Sequence, residues 1–373
     1  MNILHLGRYY PPEPSDASRF LQDLARAQAA AGHSVRVLIH RGKTKSKSDV
    51  ETDRGVEVVR AGLLGHALDH PVSHAYPLLL KRHGREPSLD LVHAHLPNPS
   101  AFWALRCDAP LVVHWHADVF PPEDRYLRLG MPLLRTLERR MLDKARIIVA
   151  TSRTYMDASK SLAPYRHKCV VVPLGLDTNR LQAGQKPSPP LRRDRPLVLA
   201  AGRFLPHKGY AHMIKAAAAI PNAEVVLAGG GPLLEEMRER VRHKGLSERV
   251  RLPGRVHAAE LFRFYEMCDV FCMPSVDRRE AFGLPLLEAH SLGKPVVCSD
   301  IPGSGVREVC IHRQTGLMVR PGDADELALT LRQALADPGL RRMLGKEGKR
   351  RFEENHRIAD IAARLDEVYA GSV

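Results

Sequence analysis

Residues 197–219 read LVLAAGRFLPHKGYAHMIKAAAA, and this stretch decides the fold. Leu197 to Ala201 is an apolar run of strand length, Gly202 to Gly209 is a loop bracketed by glycines, and Tyr210 to Ala219 has helical spacing. A strand that leaves through such a loop into a helix is the first part of a parallel crossover. The pattern repeats towards the C-terminus, with strands predicted at Glu224 to Ala228, Val250 to Leu252, Val270 to Met273 and Pro295 to Cys298, and helices at Leu233 to Lys244 and Ala258 to Met267. It repeats towards the N-terminus as well. There the strands are predicted at Asn2 to Leu6, Ser34 to Ile39, Leu91 to Ala94, Leu111 to Trp115, Arg146 to Ala150 and Lys168 to Val172, with a helix at Arg19 to Ala31. Residues 184–196, GQKPSPPLRRDRP, are dense in proline and charge and lack periodicity, as a linker does.

The expected fold is therefore α/β, with two doubly wound, Rossmann-like domains at 1–180 and 196–355 joined by a linker at 181–195. A last helical segment at 356–373 could return to the first domain. Ligands of open parallel sheets bind beyond the carboxyl ends of the strands, so two such sheets facing one another would place two ligands in a central cleft.

Composition narrows the function. The 373 residues are 44% hydrophobic and 26% charged, which suits a soluble globular protein. Six cysteines without a CxxC pair argue for a reducing compartment, and Cys272 in the run Val270 to Met273 is expected to be core. The N-terminus has no signal-peptide pattern, and no run is long and apolar enough to span a bilayer, so the expected location is cytoplasmic, either free or on a membrane face. The net charge of +14 invites a nucleic-acid reading, but the basic excess is shared evenly by the two halves and aromatics are only 5%. Anionic small molecules or anionic lipid suit that charge equally well.

In GRFLPHKG, the loop amides with the Arg203 guanidinium and the Lys208 ammonium form a candidate pyrophosphate site; two solvated cations are the bland alternative. It is no Walker loop, and the first strand is followed by Gly7 alone, not by the three glycines of a dinucleotide site. Residues 280–288, EAFGLPLLE, place Pro285 at a helix start with Leu284 as its cap, leave Glu280 in the preceding loop and put Glu288 in the first turn. The helix N-terminus suits a phosphate, Glu288 the vicinal hydroxyls of a ribose and Glu280 a sugar. Hydroxyl ligands explain two acids with no cationic partner nearby in sequence, although Glu288 could also be an ordinary helix-start charge. His114, His116 and Asp118 in HWHADV follow a strand and are expected on the acceptor side, with a metal as the rival reading and structural histidines as the ordinary one.

Taken together, Glu280 and Glu288, the GRFLPHKG loop, GGGPL at Gly229 to Leu233, GRV at Gly254 to Val256 and the opening LGRYYPP resemble the family-four retaining glycosyltransferases of GT-B fold. The resemblance covers nearly the whole chain. It implies an acceptor-binding first domain and a nucleotide-sugar-binding second domain. It implies that Arg203 and Lys208 hold the nucleotide diphosphate, Glu288 the ribose, Glu280 the transferred sugar, the amides of Phe282, Gly283 and Leu284 the sugar and phosphate, and Val256 the base. His116 matches the family's histidine near the reacting sugar, with His114 the less certain choice. The implied catalytic set is His116, Glu280, Arg203 and Lys208, with no metal and no cofactor. HWHADVF and DRREAFGLPLLEA look most like bacterial mannosyl- or rhamnosyltransferases of surface polysaccharide, which favours a GDP-linked donor over UDP and a glycan or lipid-linked acceptor.

Ser15-Asp16 stand where relatives often have Gly-Gly. The helix RTLERRMLDKAR, Arg135 to Arg146, with Leu137 and Met141 on one stripe, reads as a solvated face or as a basic face for an anionic membrane. The alternatives from other classes are a nucleotide-sugar epimerase of the same fold and, more remotely, a basic nucleic-acid binder.

Overall fold

The computed structural model describes residues 1–12, 16–42, 47–67, 70–121, 128–179 and 195–371. The expected linker at 181–195 lies outside the described residues except for Arg195. So do Ser15 and the side chain of Asp16. The chain divides into two compact units, one formed by residues 1–175 with the segment from Ile358, the other by residues 176–357.

The first unit contains β1 (Asn2–Leu6), β2 (Ser34–His40), β3 (Asp49–Asp53), β4 (Val56–Ala61), the small hairpin β5 (Gly65–Ala67) and β6 (His70–Val72), β7 (Leu91–Leu96), β8 (Leu111–Trp115), β9 (Ile147–Ala150) and β10 (Cys169–Val171). Its main sheet runs β10-β9-β8-β7-β1-β2-β4-β3, parallel except for β3. Sequence reading passed over β3 and β4. Asp53 pairs with Val56, so Arg54 and Gly55, with φ of 50° and 86°, are the two central residues of a tight hairpin; that geometry matches the twist of the flanking strands. Helix Asp16–Ala30 buries Leu21 and Ala25 against Val35, Val37, Ile39, Val56 and Val58. The C-terminal helix Ile358–Ala370 packs on this same helix, with Asp366 Oδ2 taking a hydrogen bond from His33 Nε2 at 3.0 Å.

The second unit contains β11 (Leu197–Ala201), β12 (Glu224–Ala228), β13 (Val250–Gly254), β14 (Val270–Met273), β15 (Val296–Ser299) and β16 (Gly316–Val319). All are parallel, in the order β13-β12-β11-β14-β15-β16. The runs LVLAA, EVVLA and VFCM are almost wholly buried, as strands covered on both faces must be. Asp323 caps helix Ala324–Ala336 by accepting from the amides of Asp325 and Glu326, so this acidic triplet opens a helix. All six cysteines are free, and Cys272 is completely buried.

Each main sheet has one place where the strand order reverses direction in sequence. In the second unit it lies between β11 and β14, in the first between β1 and β7. At such a switch point the crossovers depart to opposite faces and leave an opening at the carboxyl edge.

Candidate active site

The loop leaving β11 and the loop leaving β14 flank the second unit's switch point, and both carry predicted site residues. Backbone contacts lock them together: the Val276 amide donates to His207 O at 2.8 Å, and Gly209 lies so close to Pro274 that a Cβ would sit 1.9 Å from its carbonyl oxygen. With φ of 69° as well, only glycine fits at 209. The loop after β12 joins them, since the Phe204 amide donates to Gly230 O at 2.8 Å.

This junction brings together two groups that lie 72 residues apart. Lys208 Nζ donates to Glu280 Oε2 at 2.6 Å, and the Ser275 hydroxyl donates to the same oxygen at 2.8 Å. The Glu280 carbonyl is held by the Ser304 hydroxyl at 2.5 Å from the loop after β15. Glu280 has no cationic partner nearby in sequence, but it is not without one. Its partner is distant in sequence and supplied by the fold. Both side chains are largely buried, at 12% and 5% exposure, so removing either strands the other's charge in a poorly solvated place. Arg203, on the same loop, is exposed, and among the described residues its side chain meets no partner.

Helix Leu284–Ser291 begins one residue earlier than Pro285 would suggest. Gly283, at φ 88°, is the cap, not Leu284, and Pro285 is the second helical residue. A left-handed cap is glycine's position, and here a Cβ would also meet Leu286 and Met273 at 3.1 Å. Among the described residues, the backbone N–H groups of Phe282, Gly283 and Leu284 have no acceptor. Three donors at a helix N-terminus, two residues beyond the Glu280–Lys208 pair, suit an anion. Glu288 is buried one turn into this helix and accepts from the Tyr265 hydroxyl at 2.9 Å. Val256 is half-buried after β13, ahead of helix Ala258–Met267, which carries Tyr265.

The described residues thus place Arg203, Lys208, Glu280, Phe282, Gly283, Leu284, Glu288 and Val256 beyond the carboxyl ends of β11, β13 and β14.

The first unit differs from expectation. His114 is completely buried, with its ring stacked on His116 at 4.3 Å and edge-on to Phe20 at 5.3 Å, so it is a packing residue with no path to an acceptor. Asp118 is tied to the end of β8 and to the helix Arg153–Ala158: Oδ1 accepts from Trp115 Nε1 at 3.0 Å and from the Ser159 hydroxyl at 2.5 Å, while its amide donates to the Tyr155 hydroxyl. Only His116 of the three stays half-buried with a ring nitrogen to offer. Three further histidines escaped sequence reading. His5 on β1 is in register with His93 on β7, and His95 on β7 with His114 on β8. The signal was present as HAH at 93–95 and HWH at 114–116, the period of a strand placing both pairs on one face. Burial holds all five neutral, lowering His5 and His116 to about 4 and the other three well below their ordinary value. His5, His93 and His95, and His95, His114 and His116, are close enough to be candidate metal clusters. The rings of His93, His95, His114 and His116 are stacked within 4–22° of parallel, however, so their lone pairs do not converge on one point.

The helix of the expected basic face is Met131–Lys144, and its apolar stripe faces inward, with Met141 and Leu142 buried. Leu129 and Leu133 are exposed instead. Beside it a small, mainly apolar pocket opens at the ends of β7 and β8, lined by Leu96, Pro97, Phe102, Trp115, Val119 and Leu134 among others. Among the described residues no helix is long and apolar enough to cross a membrane.

Two family profiles cover the two units. Residues 17–175 match the glycosyl transferase 4-like domain and residues 182–351 match glycosyl transferases group 1. The chain belongs to the family-four glycosyltransferases. This glycosyltransferase is 27% identical to O-antigen chain mannosyltransferase C of Escherichia coli over 362 residues, 95% of this chain and 94% of that protein. It is 29% identical to the D-rhamnosyltransferase WbpZ of Pseudomonas aeruginosa over 276 residues, 71% and 69% of the two chains. Sucrose-phosphate synthase of Thermosynechococcus elongatus shares the fold, with a TM-score of 0.81 at 22% identity, covering 99% and 98% of the chains. The fold is GT-B, and the epimerase alternative has no support among these relatives.

Proposed function

We propose that this glycosyltransferase moves a hexose of mannose or rhamnose type from a nucleotide-sugar, GDP-linked in preference to UDP-linked, to a hydroxyl of a growing, lipid-linked surface glycan, with retention at the anomeric carbon and without a metal. The observation that carries the reading is the set of unpartnered amides at Phe282, Gly283 and Leu284 beside Arg203 and the Lys208–Glu280 pair. The leaving group is a nucleoside diphosphate whose charge grows as the C1–O bond breaks, and donors already aimed at that position lower the barrier most. Arg203, Lys208 and the helix N-terminus take this charge. Glu288 accepts from the ribose hydroxyls, Val256 packs on the base, and Glu280, anchored by Ser275 and Lys208, accepts from a sugar hydroxyl. The acceptor oxygen bonds to C1 as the phosphate oxygen leaves, and the acceptor's proton passes to that oxygen, giving a glycoside and a nucleoside diphosphate. His116, neutral at physiological pH, takes a hydrogen bond from a sugar hydroxyl.

The kinship with an O-antigen mannosyltransferase and a rhamnosyltransferase supports the choice of sugar. The exposed Leu129 and Leu133, with the small apolar pocket at the ends of β7 and β8, support a lipid-linked acceptor met at the cytoplasmic face of a membrane. The test is transfer from GDP-mannose and GDP-rhamnose, against UDP-glucose, to a lipid-linked oligosaccharide in EDTA, with the product's anomeric configuration read by NMR. The reading predicts an α-linked product from an α-linked donor at an undiminished rate. An inverted product, or a rate that needs added divalent metal, overturns it.

A further inference from the structure

The buried histidines of the first unit form a directed chain, not a loose cluster. The Gln28 amino group donates to the Tyr369 hydroxyl at 3.1 Å, and that hydroxyl lies 2.6 Å from His93 Nδ1. Gln28 Oε1 faces His5 Nε2 at 2.8 Å, His5 Nδ1 faces His95 Nε2 at 3.0 Å, and His95 Nδ1 faces His116 Nε2 at 2.9 Å. An amide oxygen can only accept, so His5 must carry its proton on Nε2. A neutral imidazole has one N–H, so His5 Nδ1 accepts and His95 is protonated on Nε2; by the same step His95 Nδ1 accepts and His116 is protonated on Nε2. The last lone pair in the chain is therefore on His116 Nδ1, which has no partner among the described residues.

We propose that Gln28 and Tyr369, through His5 and His95, are positioning residues that hold His116 in its Nε2–H tautomer, so that Nδ1 is presented solely as a hydrogen-bond acceptor for a hydroxyl of the sugar substrates. In the opposite tautomer, His116 would meet that hydroxyl with an N–H. A donor and an acceptor require different orientations of the same hydroxyl, so the relay selects how the sugar is held. Tyr369 belongs to the C-terminal helix and Gln28 to helix Asp16–Ala30, which gives the packing of these two helices a role at the strand ends. The idea rests on His116 as a sugar contact, but the tautomer itself does not.

The test is a long-range ¹H–¹⁵N correlation spectrum of the full chain labelled at histidine, with the His116 signals assigned by their loss in His116→Gln. The expected result is a protonated Nε2 and an unprotonated Nδ1 at neutral pH. Gln28→Met and Tyr369→Phe should each give a mixture of the two tautomers at His116, and kcat/KM should fall by about tenfold, the value of one neutral hydrogen bond. Inverting the Gln28 amide would reverse every bond in the chain, so a His116 protonated on Nδ1 overturns the proposal. It is equally overturned if both variants only lower the melting temperature and leave the wild-type tautomer, or if a chelator changes the spectrum. Addition of the nucleotide-sugar should shift Nδ1. The wild-type tautomer with no such shift would refute His116 as a sugar contact and leave the relay standing.

Discussion

The two switch points of this protein share a topology and differ in chemistry. In the second unit the strand ends carry an unpaired arginine, a lysine held by one carboxylate, and three backbone amides without acceptors. In the first unit the strands and their ends carry five neutral imidazoles, and the hydrogen bonds of four of them, His5, His93, His95 and His116, run inward to Gln28 and Tyr369. On the proposed reading the first arrangement takes an anion whose charge grows during reaction. The second offers uncharged rings, because burial keeps each imidazole from taking a proton near neutral pH, and on that reading it meets sugar hydroxyls. The doubly wound sheet supplies the opening, and the side chains at the strand ends decide what fills it.

Acid should separate the two units most strongly. Unfolded histidines take up protons near the ordinary value of 6.5, whereas His5 and His116 resist until about 4, and burial holds His93, His95 and His114 well below the ordinary value too. Between those values the unfolded chain binds more protons, so the first unit's stability falls as pH drops from 6.5 towards 4; it is fully present above that window. His5 and His116 each contribute on the order of a few kcal/mol to this loss. Among the described residues the second unit has fewer such groups, namely His290, lowered to about 4, and His207, lowered chiefly by burial. Hydrogen exchange at pH 5 should therefore show the first unit opening before the second; equal protection would break the comparison. Next in size, Lys208→Met should cost about 10²–10³ in turnover, as for loss of one donor to a developing negative charge, measured as kcat with saturating nucleotide-sugar. The smallest effect is expected for Gly283→Ala, which forces a side chain to φ 88° and should lower the second unit's stability by about 1–2 kcal/mol in urea titration while leaving the histidine spectrum unchanged.

What the sequence made legible follows the range of its signals. Continuous apolar runs such as 197–201, 224–228 and 270–273 become strands at those residues because burial on both faces leaves no polar positions to blur them. The Arg54-Gly55 turn was legible in principle and was missed, since an arginine at positive φ gives no turn signal of its own. Pairings across the fold were not legible. The Lys208–Glu280 pair spans 72 residues and the Gln28–Tyr369 bond 341, and nothing local to either residue announces its partner. The local pattern could not separate His114 from His116, and only the resemblance favoured His116; the strand ends at Trp115, so one ring lies within the sheet and the other just beyond it.

The central claim is that the second unit's switch point grips a nucleoside diphosphate through Arg203, Lys208 and the amides before Pro285. Its most direct test is the melting temperature of the wild type and of Arg203→Ala, Lys208→Met and Gln28→Met in saturating GDP. At a hundred times the dissociation constant, ligand adds about 2.7 kcal/mol to the folded state. The account predicts a rise for the wild type and for Gln28→Met, and little or none for Arg203→Ala and Lys208→Met. If no nucleoside diphosphate raises the wild-type melting temperature, or if GDP protects the Arg203 and Lys208 variants as well as the wild type, the account is contradicted.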